Sequence, residues 1–416
     1  MKKYVLLTAD IHPIGGMQLY TAGKARFLRE RGWTVYILYC GTNEKNCAID
    51  YLNEYTNGAF YCLAYRPAQL EKSTLNYVLQ KIENLIEASA EDVVYIESQA
   101  EVLALWGELI AEKIKAQHIC FNCNEQFRGP KKYYEENIEF FKFKYHRREL
   151  LGLHADTNKK LFDGYLDVPC SNEFLFDAVE PGPIQDVKNV LVEKLENFDF
   201  NIAYLGRIIK GYVPNILDGV CQFAKKYPQK VIQFIIIGDA TERKAEIDKL
   251  FSRINNVKVV YMGDMVPIPR AIFRKIDVMV AGAVCAEISA REGVPTIVAD
   301  CENYLANGIL GYTINNSMYY DHQRGQKTYL EELEDVLINK EYLKNMYSFP
   351  PAISSDDIYE SQFMFFDEAI SKREYYDVLN IDIPKLSGST KLLVLLRTYA
   401  PGCYVGLRNI KRALKK

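Results

Sequence analysis

Runs of apolar residues alternate with helical patterns from the start of the chain. Residues 4–10 (YVLLTAD) form a short, almost continuous apolar run, which is typical of a strand buried on both faces. Glycine and proline interrupt the pattern at 11–16, and residues 17–32 then place apolar side chains along one helical face. A second apolar run follows at 33–41. The order strand, helix, strand predicts a βαβ unit, and therefore a parallel sheet with a right-handed crossover.

The same alternation continues along the chain. Residues 92–98 and 118–123 are further apolar runs, and 101–114 between them has the apolar spacing of a helix. A second set of patterns begins near residue 199. Its predicted strands and helices are 198–206, 214–228, 231–239, 245–254, 257–263, 276–282 and 294–300, followed by helical patterns at 331–346 and 354–370. Two such sets in series predict an α/β protein with two Rossmann-like domains.

A segment rich in proline and glycine joins the two sets near residues 170–198. Pro181, Gly182 and Pro183 fall within this segment, and such clusters are typical of linkers. We therefore expect three parts, which are a first Rossmann-like domain at 1–190, a second at 191–370 and a basic helical segment at 371–416.

Loops at the carboxyl ends of parallel strands are the usual ligand sites of α/β proteins. Gly15 and Gly16 stand directly before the first predicted helix, where an anion can bind free backbone N–H groups. A tight turn that requires glycine explains this pair equally well. Gly206, Arg207 and Lys210 follow the first strand of the second domain, and two cations there suit a diphosphate leaving group without a metal. The alternative is a solvated basic loop.

A third loop joins the predicted strand 276–282 to the next helix. Its small residues allow close approach of a ligand, and Glu287 can accept hydrogen bonds from ribose hydroxyls. Glu287 is equally explained as an acid in the first turn of a helix. The chain lacks the patterns GxxxxGK[ST] and GxSxG, and its first loop lacks GxGxxG, which disfavours a P-loop NTPase, an α/β-hydrolase and a nicotinamide-dependent dehydrogenase. Histidines and cysteines show no metal-ligand spacing, so no metal site is predicted.

Taken in order, five segments resemble the GT-B glycosyltransferases of the group 1 (glycosyltransferase family 4-like) type. They are HPIGGMQLYTAGKARFLRERGWTVYIL, AYLGRIIKGY, FIIIGD, VVYMGDM and EISAREGVPTIVAD, and they span most of 1–315. The resemblance implies a GT-B fold, in which two Rossmann-like domains face a central cleft and a C-terminal helix crosses back to the first domain. It also implies that the first domain binds the acceptor, that the second binds a nucleotide-sugar donor, and that transfer retains the anomeric configuration.

The resemblance assigns donor-site roles by position in this sequence. Gly15 and Gly16 match the glycine loop beside the donor phosphates, and Arg207 and Lys210 match the basic pair that holds the diphosphate. Glu287 matches the glutamate expected at the ribose. The remaining donor-side positions are Gly206 and Gly238 in matched loops, and Met265 and Val266 where the base stacks.

Two signature residues of the glycosyltransferase family that this chain resembles are replaced here. The first glutamate of the family's E-x7-E pattern corresponds to Met279, within a predicted strand. The catalytic-loop histidine after the third strand is absent, and Asn122, Asn124 and Glu125 stand there as the expected acceptor-side residues. His12 lies near the glycine loop and is the expected substitute, so the predicted catalytic residues are His12, Arg207 and Lys210.

The formal net charge of −3 hides an uneven distribution. Residues 385–416 hold eight Lys and Arg and no Asp or Glu, so the rest of the chain carries a charge of −11. The overall balance excludes a uniformly basic nucleic-acid binder. The stretch 140–148 (FFKFKYHRR) and the tail 391–416 are basic and apolar, which suits reversible contact with an anionic membrane. Core packing is the expected alternative for the run 392–396.

The sequence therefore predicts a cytoplasmic hexosyltransferase, or one bound peripherally at the inner face of the membrane. The first apolar run is shorter than an export signal, and no run is long enough to span a bilayer. The expected reaction moves a sugar from a nucleotide-diphosphate sugar to a cell-envelope polysaccharide or a polyprenyl-linked acceptor, with no cofactor and no metal. Two alternatives stand beside it: a non-catalytic GT-B-like partner subunit, because two signature residues are missing, and a nucleotide-sugar epimerase, which shares the two-domain cleft.

Overall fold

The computed structural model describes residues 1–12, 14–40, 49–122, 135–152, 184–317, 325–344, 355–368, 374–404 and 406–407. The chain divides into two compact units. The first unit comprises Met1–Glu180 with Ser354–Lys416, and the second unit comprises Pro181–Ile353. Each unit contains a six-stranded sheet of its own.

Helices alternate with parallel strands in the first unit. Its elements up to residue 152 are β1 (Lys2–Thr8), α1 (Gly16–Glu30), β2 (Thr34–Tyr39), β3 (Thr56–Ala59), α2 (Lys72–Ile86), β4 (Val93–Ser98), α3 (Glu101–Ile114), β5 (Gln117–Asn122), α4 (Ile138–His146) and β6 (Leu150–Gly152). Short 3₁₀-helices lie at Asp50–Glu54, Tyr61–Ala64 and Pro67–Gln69. The strands run parallel in the order β3-β2-β1-β4-β5-β6. Residues 4–7 of the central strand β1 are fully buried, which explains their continuous apolar character.

The second unit repeats this plan. Its elements are β7 (Ile184–Gln185), α5 (Val190–Glu193), β8 (Phe200–Leu205), α6 (Val213–Lys226), β9 (Ile232–Ile237), α7 (Lys244–Phe251), β10 (Val257–Gly263), β11 (Ile268–Pro269), β12 (Val278–Ala281), α8 (Ala283–Arg291), β13 (Thr296–Ala299), β14 (Ala306–Ile309) and α9 (Tyr329–Glu334). Shorter helical turns are Arg270–Lys275, Asp335–Asn339 and Glu341–Lys344. The large sheet has the order β10-β9-β8-β12-β13-β14, with only the pairing of β13 and β14 antiparallel among its described strands, while β7 and β11 form a separate parallel pair.

Both large sheets have the strand order of a Rossmann fold. In each, the second and third strands lie on one side of the first strand, and the last three strands lie on the other side. The predicted α/β class with two Rossmann-like regions is therefore confirmed. The order reverses between β1 and β4 in the first unit and between β8 and β12 in the second, and open α/β sheets bind ligands at such a crossover point.

The helix α10 (Ser355–Glu368) belongs to the first unit, whereas the predicted second domain included it. The reason lies in Lys24 of α1, which is completely buried and donates a hydrogen bond to the amide oxygen of Gln362 in α10. Burial lowers the pKa of Lys24 to about 8. Its ammonium group lies 5.1–5.7 Å from the centroids of four aromatic rings, three of them from α10, namely Tyr4, Tyr359, Phe363 and Phe366.

The helix α11 (Gly388–Tyr399) also packs on the first unit, against α2 and the 3₁₀-helix Tyr61–Ala64. The Cys62 thiol and the Thr398 hydroxyl are 2.7 Å apart at this contact. Core packing of the run 392–396 holds for Val394, which is 3% exposed, but it is wrong for Leu392 and Leu395, which are 59% and 40% exposed. The basic residues 408–416 lie outside the described residues.

The stretch 140–148 is not a free cationic surface. Phe140 and Phe141 are core residues, and Lys144 is 1% exposed. The Lys144 ammonium donates to Glu108 Oε2 at 2.9 Å and to Glu149 Oε2 at 2.6 Å. Because these cations and aromatic rings face the interior, the prediction that this stretch contacts a membrane is wrong. Among the described residues, none of the helices combines the length and the apolar composition needed to cross a lipid bilayer.

Candidate active site

In the second unit, the loops after β8 and β9 approach each other so closely that only glycine fits. Gly206 and Gly238 have positive φ angles of 144° and 134°, which favour glycine. The Gly206 N–H donates to the carbonyl oxygen of Ile237 at 3.0 Å. A Cβ at Gly238 would lie 2.3 Å from the carbonyl oxygen of Gly206, so a larger residue would force the two loops apart. These predicted donor-side glycines therefore shape the carboxyl edge of the sheet.

The predicted basic pair lies on one turn directly after Gly206. Arg207 is exposed and Lys210 is half-buried. The Lys210 N–H donates to the Arg207 carbonyl at 3.2 Å, and the Tyr204 hydroxyl donates to the same carbonyl at 2.9 Å. Ile208 between the two cations is 2% exposed and anchors the turn in the core. The Tyr204 hydroxyl and the buried Ile208 side chain thus fix this turn, which carries two cations at the end of β8.

Across the crossover, the loop after β12 leads into α8. Ala283 begins this helix with a φ of 50°, and its N–H donates to the Ser317 carbonyl at 3.0 Å. The Ser317 hydroxyl donates to Glu287 Oε1 at 2.6 Å. Ser317 is 3% exposed, so it holds the half-buried Glu287 carboxylate in the second turn of the helix from a fixed position. A backbone that carries a positive φ at a residue other than glycine is often found at functional sites.

The loops after β8 and β12 meet through a tyrosine. A Cβ at Gly282 would lie only 3.0 Å from the Tyr212 hydroxyl oxygen, so Gly282 leaves room for this ring. Because β8 and β12 are neighbours on either side of the crossover, Arg207, Lys210 and Glu287 share one edge of the sheet. Positive charge and a helix N-terminus at this edge can bind an anion such as a diphosphate.

The two positions predicted to stack against a base differ in exposure. Met265 is 9% exposed and belongs to an apolar cluster that also contains Ile237, Met262 and Ile268. Val266 is half-buried. A role for Met265 at the base therefore requires contact through the small part of its surface that is exposed, and the stacking role of both residues stays a prediction.

In the first unit, the glycine loop lies at the crossover between β1 and β4. Gly15 precedes α1 in an extended conformation, and a Cβ there would lie 2.9 Å from Gln18 Oε1. A Cβ at Gly16 would meet nothing within 4 Å, so the start of this helix is open. The Gln18 amide donates to the Asp10 carbonyl at 2.6 Å and fixes the loop from the helix side.

His12 is oriented by the acid two residues before it. Its Nδ1 lies 2.7 Å from Asp10 Oδ1, and its backbone N–H donates to the same oxygen at 3.0 Å. The imidazole also makes an edge contact with the Tyr39 ring, with 5.4 Å between the ring centroids. An aspartate on Nδ1 fixes the ring orientation and leaves Nε2 as the nitrogen for proton transfer.

Only one of the predicted acceptor-side residues lies within the described part of the chain. Asn122, at the end of β5, is 8% exposed and lines a small pocket with a free volume of about 10 Å³. Ser98 and Glu101 line the same pocket at the end of β4 and the start of α3. Asn124 and Glu125 lie outside the described residues.

Sequence reasoning missed three residues that hold the candidate site in place. Asp10, Tyr204 and Ser317 act by fixing His12, the Arg207 carbonyl and Glu287, respectively. The spacing Asp-x-His is a local signal that could have identified Asp10. Ser317 lies thirty residues after Glu287, and no local pattern connects the two. The described ranges contain no group of three or more His, Cys, Asp or Glu side chains arranged to hold a metal ion.

Known structures, rather than known sequences, resemble this chain. No protein-family model and no curated protein matches it. A glycosyltransferase from Rickettsia africae superposes with a TM-score of 0.59 at 11% identity, covering 89% of this chain and 99% of that one. HepE from Anabaena, in complex with UDP and glucose, gives 0.51 at 14% identity, covering 91% and 96%.

An epimerase has a comparable likeness. A putative UDP-N-acetylglucosamine 2-epimerase from Listeria monocytogenes superposes with a TM-score of 0.51 at 12% identity, covering 90% of this chain and 98% of that one. Identities this low show the fold and leave the activity open. Since the likeness extends over both Rossmann-like units, the chain has the GT-B fold that the sequence resemblance predicted.

Proposed function

We propose that the protein is a glycosyltransferase that moves a sugar from a nucleotide-diphosphate sugar to an acceptor hydroxyl. The observation that carries this proposal is the turn after β8, where Arg207 and Lys210 stand three residues apart at the crossover of the second sheet. The Anabaena HepE complex contains UDP and glucose, which supports a nucleotide sugar as the donor class. The reaction would belong to the biosynthesis of a cell-envelope polysaccharide.

Charge on the leaving group explains why cations are needed at this turn. As the bond from the anomeric carbon to the diphosphate breaks, negative charge grows on the diphosphate oxygens. Arg207 and Lys210, together with the N-terminus of α8, stabilise this charge, so the proposed step requires no metal. Glu287 accepts hydrogen bonds from the ribose hydroxyls and fixes the nucleotide. Gly206 and Gly238 complete the donor site by allowing close approach of the ligand, and Met265 and Val266 are the proposed stacking positions for the base.

The first unit supplies the acceptor side of the proposed reaction. Gly15 and Gly16, at the open start of α1, remain proposed donor-binding residues, and His12 is oriented by Asp10 at the same crossover. His12 Nε2 would take part in proton transfer from the acceptor hydroxyl. In a retaining reaction this hydroxyl attacks from the face that the diphosphate leaves. The proposed acceptor is a glycan or a polyprenyl-linked saccharide, and Asn122, Asn124 and Glu125 are the proposed acceptor-side residues.

Calorimetric titration of the full chain with UDP, GDP and ADP tests the donor site. At least one nucleotide is expected to bind, and the double variant Arg207→Ala/Lys210→Ala is expected to bind it about 100-fold more weakly. Each charge-assisted hydrogen bond lost costs about 1.5–3 kcal/mol. The variant Lys249→Ala/Arg253→Ala removes the same charge from exposed positions at the end of α7 and is the matched control. If none of the three nucleotides binds the wild-type chain, the donor assignment is wrong.

Incubation with a nucleotide sugar separates this function from the two alternatives. An epimerase is the second candidate because the Listeria epimerase is as similar in fold as HepE. Without an acceptor, an epimerase converts the sugar to its epimer, whereas a transferase releases the nucleotide by slow hydrolysis. A non-catalytic partner subunit does neither, so product analysis of the purified chain gives a different result for each function.

A further inference from the structure

The loop after β13 carries an exposed tyrosine in an unusual backbone conformation. Tyr304 has a φ of 66°, in the left-handed region that favours glycine, and it is 41% exposed. A bulky residue keeps such a conformation only where its surroundings fix it, and residues of this kind are found mainly at functional sites. The neighbours of Tyr304 must therefore compensate for this strain.

A hydrogen-bonded loop holds Tyr304 in this conformation. Asp300, which is 3% exposed, accepts hydrogen bonds from the backbone N–H groups of Glu302 and Asn303 at 2.6 and 3.2 Å. The side-chain oxygen of Asn303 accepts a further hydrogen bond from the Leu305 N–H at 2.9 Å. These bonds fix the backbone on both sides of Tyr304, so the loop sets the position of its ring.

The Tyr304 ring lies on Gly211, the residue that follows Lys210. A Cβ at Gly211 would lie 2.6 Å from Tyr304 Cζ and 2.7 Å from its hydroxyl oxygen, so only glycine leaves room for the ring. The Asn215 side-chain amide, in the first turn of α6, donates to the Tyr304 carbonyl at 3.1 Å. Because β12 lies between β8 and β13, these contacts join two loops whose strands are not neighbours in the sheet. The loop after β13 thus holds the end of the turn that follows β8.

Two tyrosines therefore fix the turn after β8, one at each end. At its start, the Tyr204 hydroxyl donates to the Arg207 carbonyl, and at its end the Tyr304 ring covers Gly211. Lys210 lies between these two anchors, and its N–H donates to the Arg207 carbonyl. A cation stabilises an anion most when its position is set before the anion binds, because no reorganisation then opposes binding.

We propose that Tyr304 is a positioning residue, which holds Lys210 in place for the diphosphate of the donor. The ring on Gly211 keeps the end of the turn from shifting, so that Lys210 stays at the carboxyl edge of β8. This role rests on the proposed function, because it assigns Lys210 to the diphosphate. The ring atoms that occupy the space beside Gly211 include Cζ and Cε1, which phenylalanine also has, so the role belongs to the ring and not to the hydroxyl group.

Calorimetric titration of the full chain with inorganic pyrophosphate measures this role on the anion alone, since the probe lacks both base and sugar. The wild-type chain is expected to bind it. Tyr304→Ala is expected to bind it about tenfold more weakly, because a displaced Lys210 loses a charge-assisted hydrogen bond to the anion. Tyr304→Phe keeps the ring on Gly211 and should bind like the wild type. Leu343→Ala, at an exposed leucine of the second unit, is the matched control.

A double-variant cycle tests the contact between the two loops. Gly211→Ala places a Cβ in the space of the Tyr304 ring, so it is expected to weaken pyrophosphate binding about as much as Tyr304→Ala does. In the Tyr304→Ala background, the same substitution should have little further effect, because no ring remains to be displaced. Additive losses in the double variant would overturn the proposal, and so would a loss in Tyr304→Phe equal to that in Tyr304→Ala.

Hydrogen exchange of the chain without ligand separates this role from the proposed function. The N–H groups of Lys210 and Val213 are hydrogen-bonded within the turn, and they are expected to exchange faster in Tyr304→Ala than in the wild type. If the wild-type chain binds neither pyrophosphate nor a nucleotide diphosphate, the proposed function and this role are both overturned. If it binds them, wild-type affinity or unchanged exchange of the turn in Tyr304→Ala overturns the positioning role alone.

Discussion

Two basic, apolar segments of the first unit have similar compositions, but one is buried and the other is exposed. In α4, Lys144 and Arg147 are buried and pair with acids, and Phe140 and Phe141 join the core. In α11, Leu392 and Leu395 face solvent, and the sequence of 385–416 holds eight cations and no acid. The difference comes in part from Glu108, which pairs with Lys144 from 36 positions away. A buried cation needs acids or other polar and aromatic partners around it, and composition alone cannot reveal those partners.

Glu108 and Glu149 both accept hydrogen bonds from Lys144 of α4, and Glu108 also contacts His118. Burial by itself would raise the pKa of Glu108, but the charge of Lys144 and a hydrogen bond from His118 lower this pKa to about 2. Burial and the Lys144 charge lower the pKa of His118 to about 4. His118 Nδ1 lies 2.7 Å from Glu108 Oε2, and Nε2 lies 2.9 Å from the Ser98 hydroxyl. At neutral pH the network therefore holds a charged Lys144, a charged Glu108 and a neutral His118.

Removal of the buried cation should have the largest effect on stability. The substitution Lys144→Met removes the ammonium group that pairs with the buried Glu108 and leaves Glu149 with Arg147 alone, which is expected to lower the free energy of unfolding by about 3–5 kcal/mol. Urea denaturation followed by tryptophan emission measures this value for the first unit, because both tryptophans, Trp33 and Trp106, belong to it.

The neighbouring Lys142 gives the matched control. Its side chain is 22% exposed and pairs with the exposed Glu139 at 3.2 Å. Lys142→Met is expected to change the free energy of unfolding by less than about 1 kcal/mol. If both variants lost the same stability, the α4 cations would be equivalent, and the contrast between the buried and the exposed segment would not hold.

A pH titration of stability should show the next largest effect. The pKa of His118 is lower in the folded chain than in the unfolded chain, so acid favours unfolding, and stability falls as the pH drops from about 6.5 toward 4. Between pH 7 and pH 5 this histidine alone is expected to remove about 2 kcal/mol. The variant His118→Asn should lack this component and show a flatter pH dependence. The same slope in both chains would mean that His118 is not held neutral by the network.

The sequence predicted the elements better than their partners. Apolar runs located the central strands correctly, and α3 has the predicted bounds because its pattern depends only on its own residues. The sequence could not predict which of the two units contains α10, because the contact between Lys24 and Gln362 joins residues that are 338 positions apart. The same limit explains the wrong expectation for α4, whose charge is balanced by Glu108 thirty-six positions away.

The candidate site follows the same rule. Glycines and cations placed directly after strands were found from their positions, because strand order brings the carboxyl ends of neighbouring strands to one edge. Gly206 and Gly238 then have the close approach and positive φ that explain why glycine stands there. Ser317 was not found, because only the folded chain brings it to Glu287. Local patterns thus predict candidate ligand-binding residues more readily than the residues that support them.

The smallest expected effect concerns the exposed segment. Leu392→Gln/Leu395→Gln should change the free energy of unfolding by less than about 0.5 kcal/mol, because water already covers much of both side chains in the folded chain. Val394→Ala, on the buried side of the same helix, is expected to cost about 1–2 kcal/mol from the loss of two buried methyl groups. Urea denaturation gives both values. A large loss in the leucine variant would mean that Leu392 and Leu395 pack against protein, and then α4 and α11 would both be buried segments.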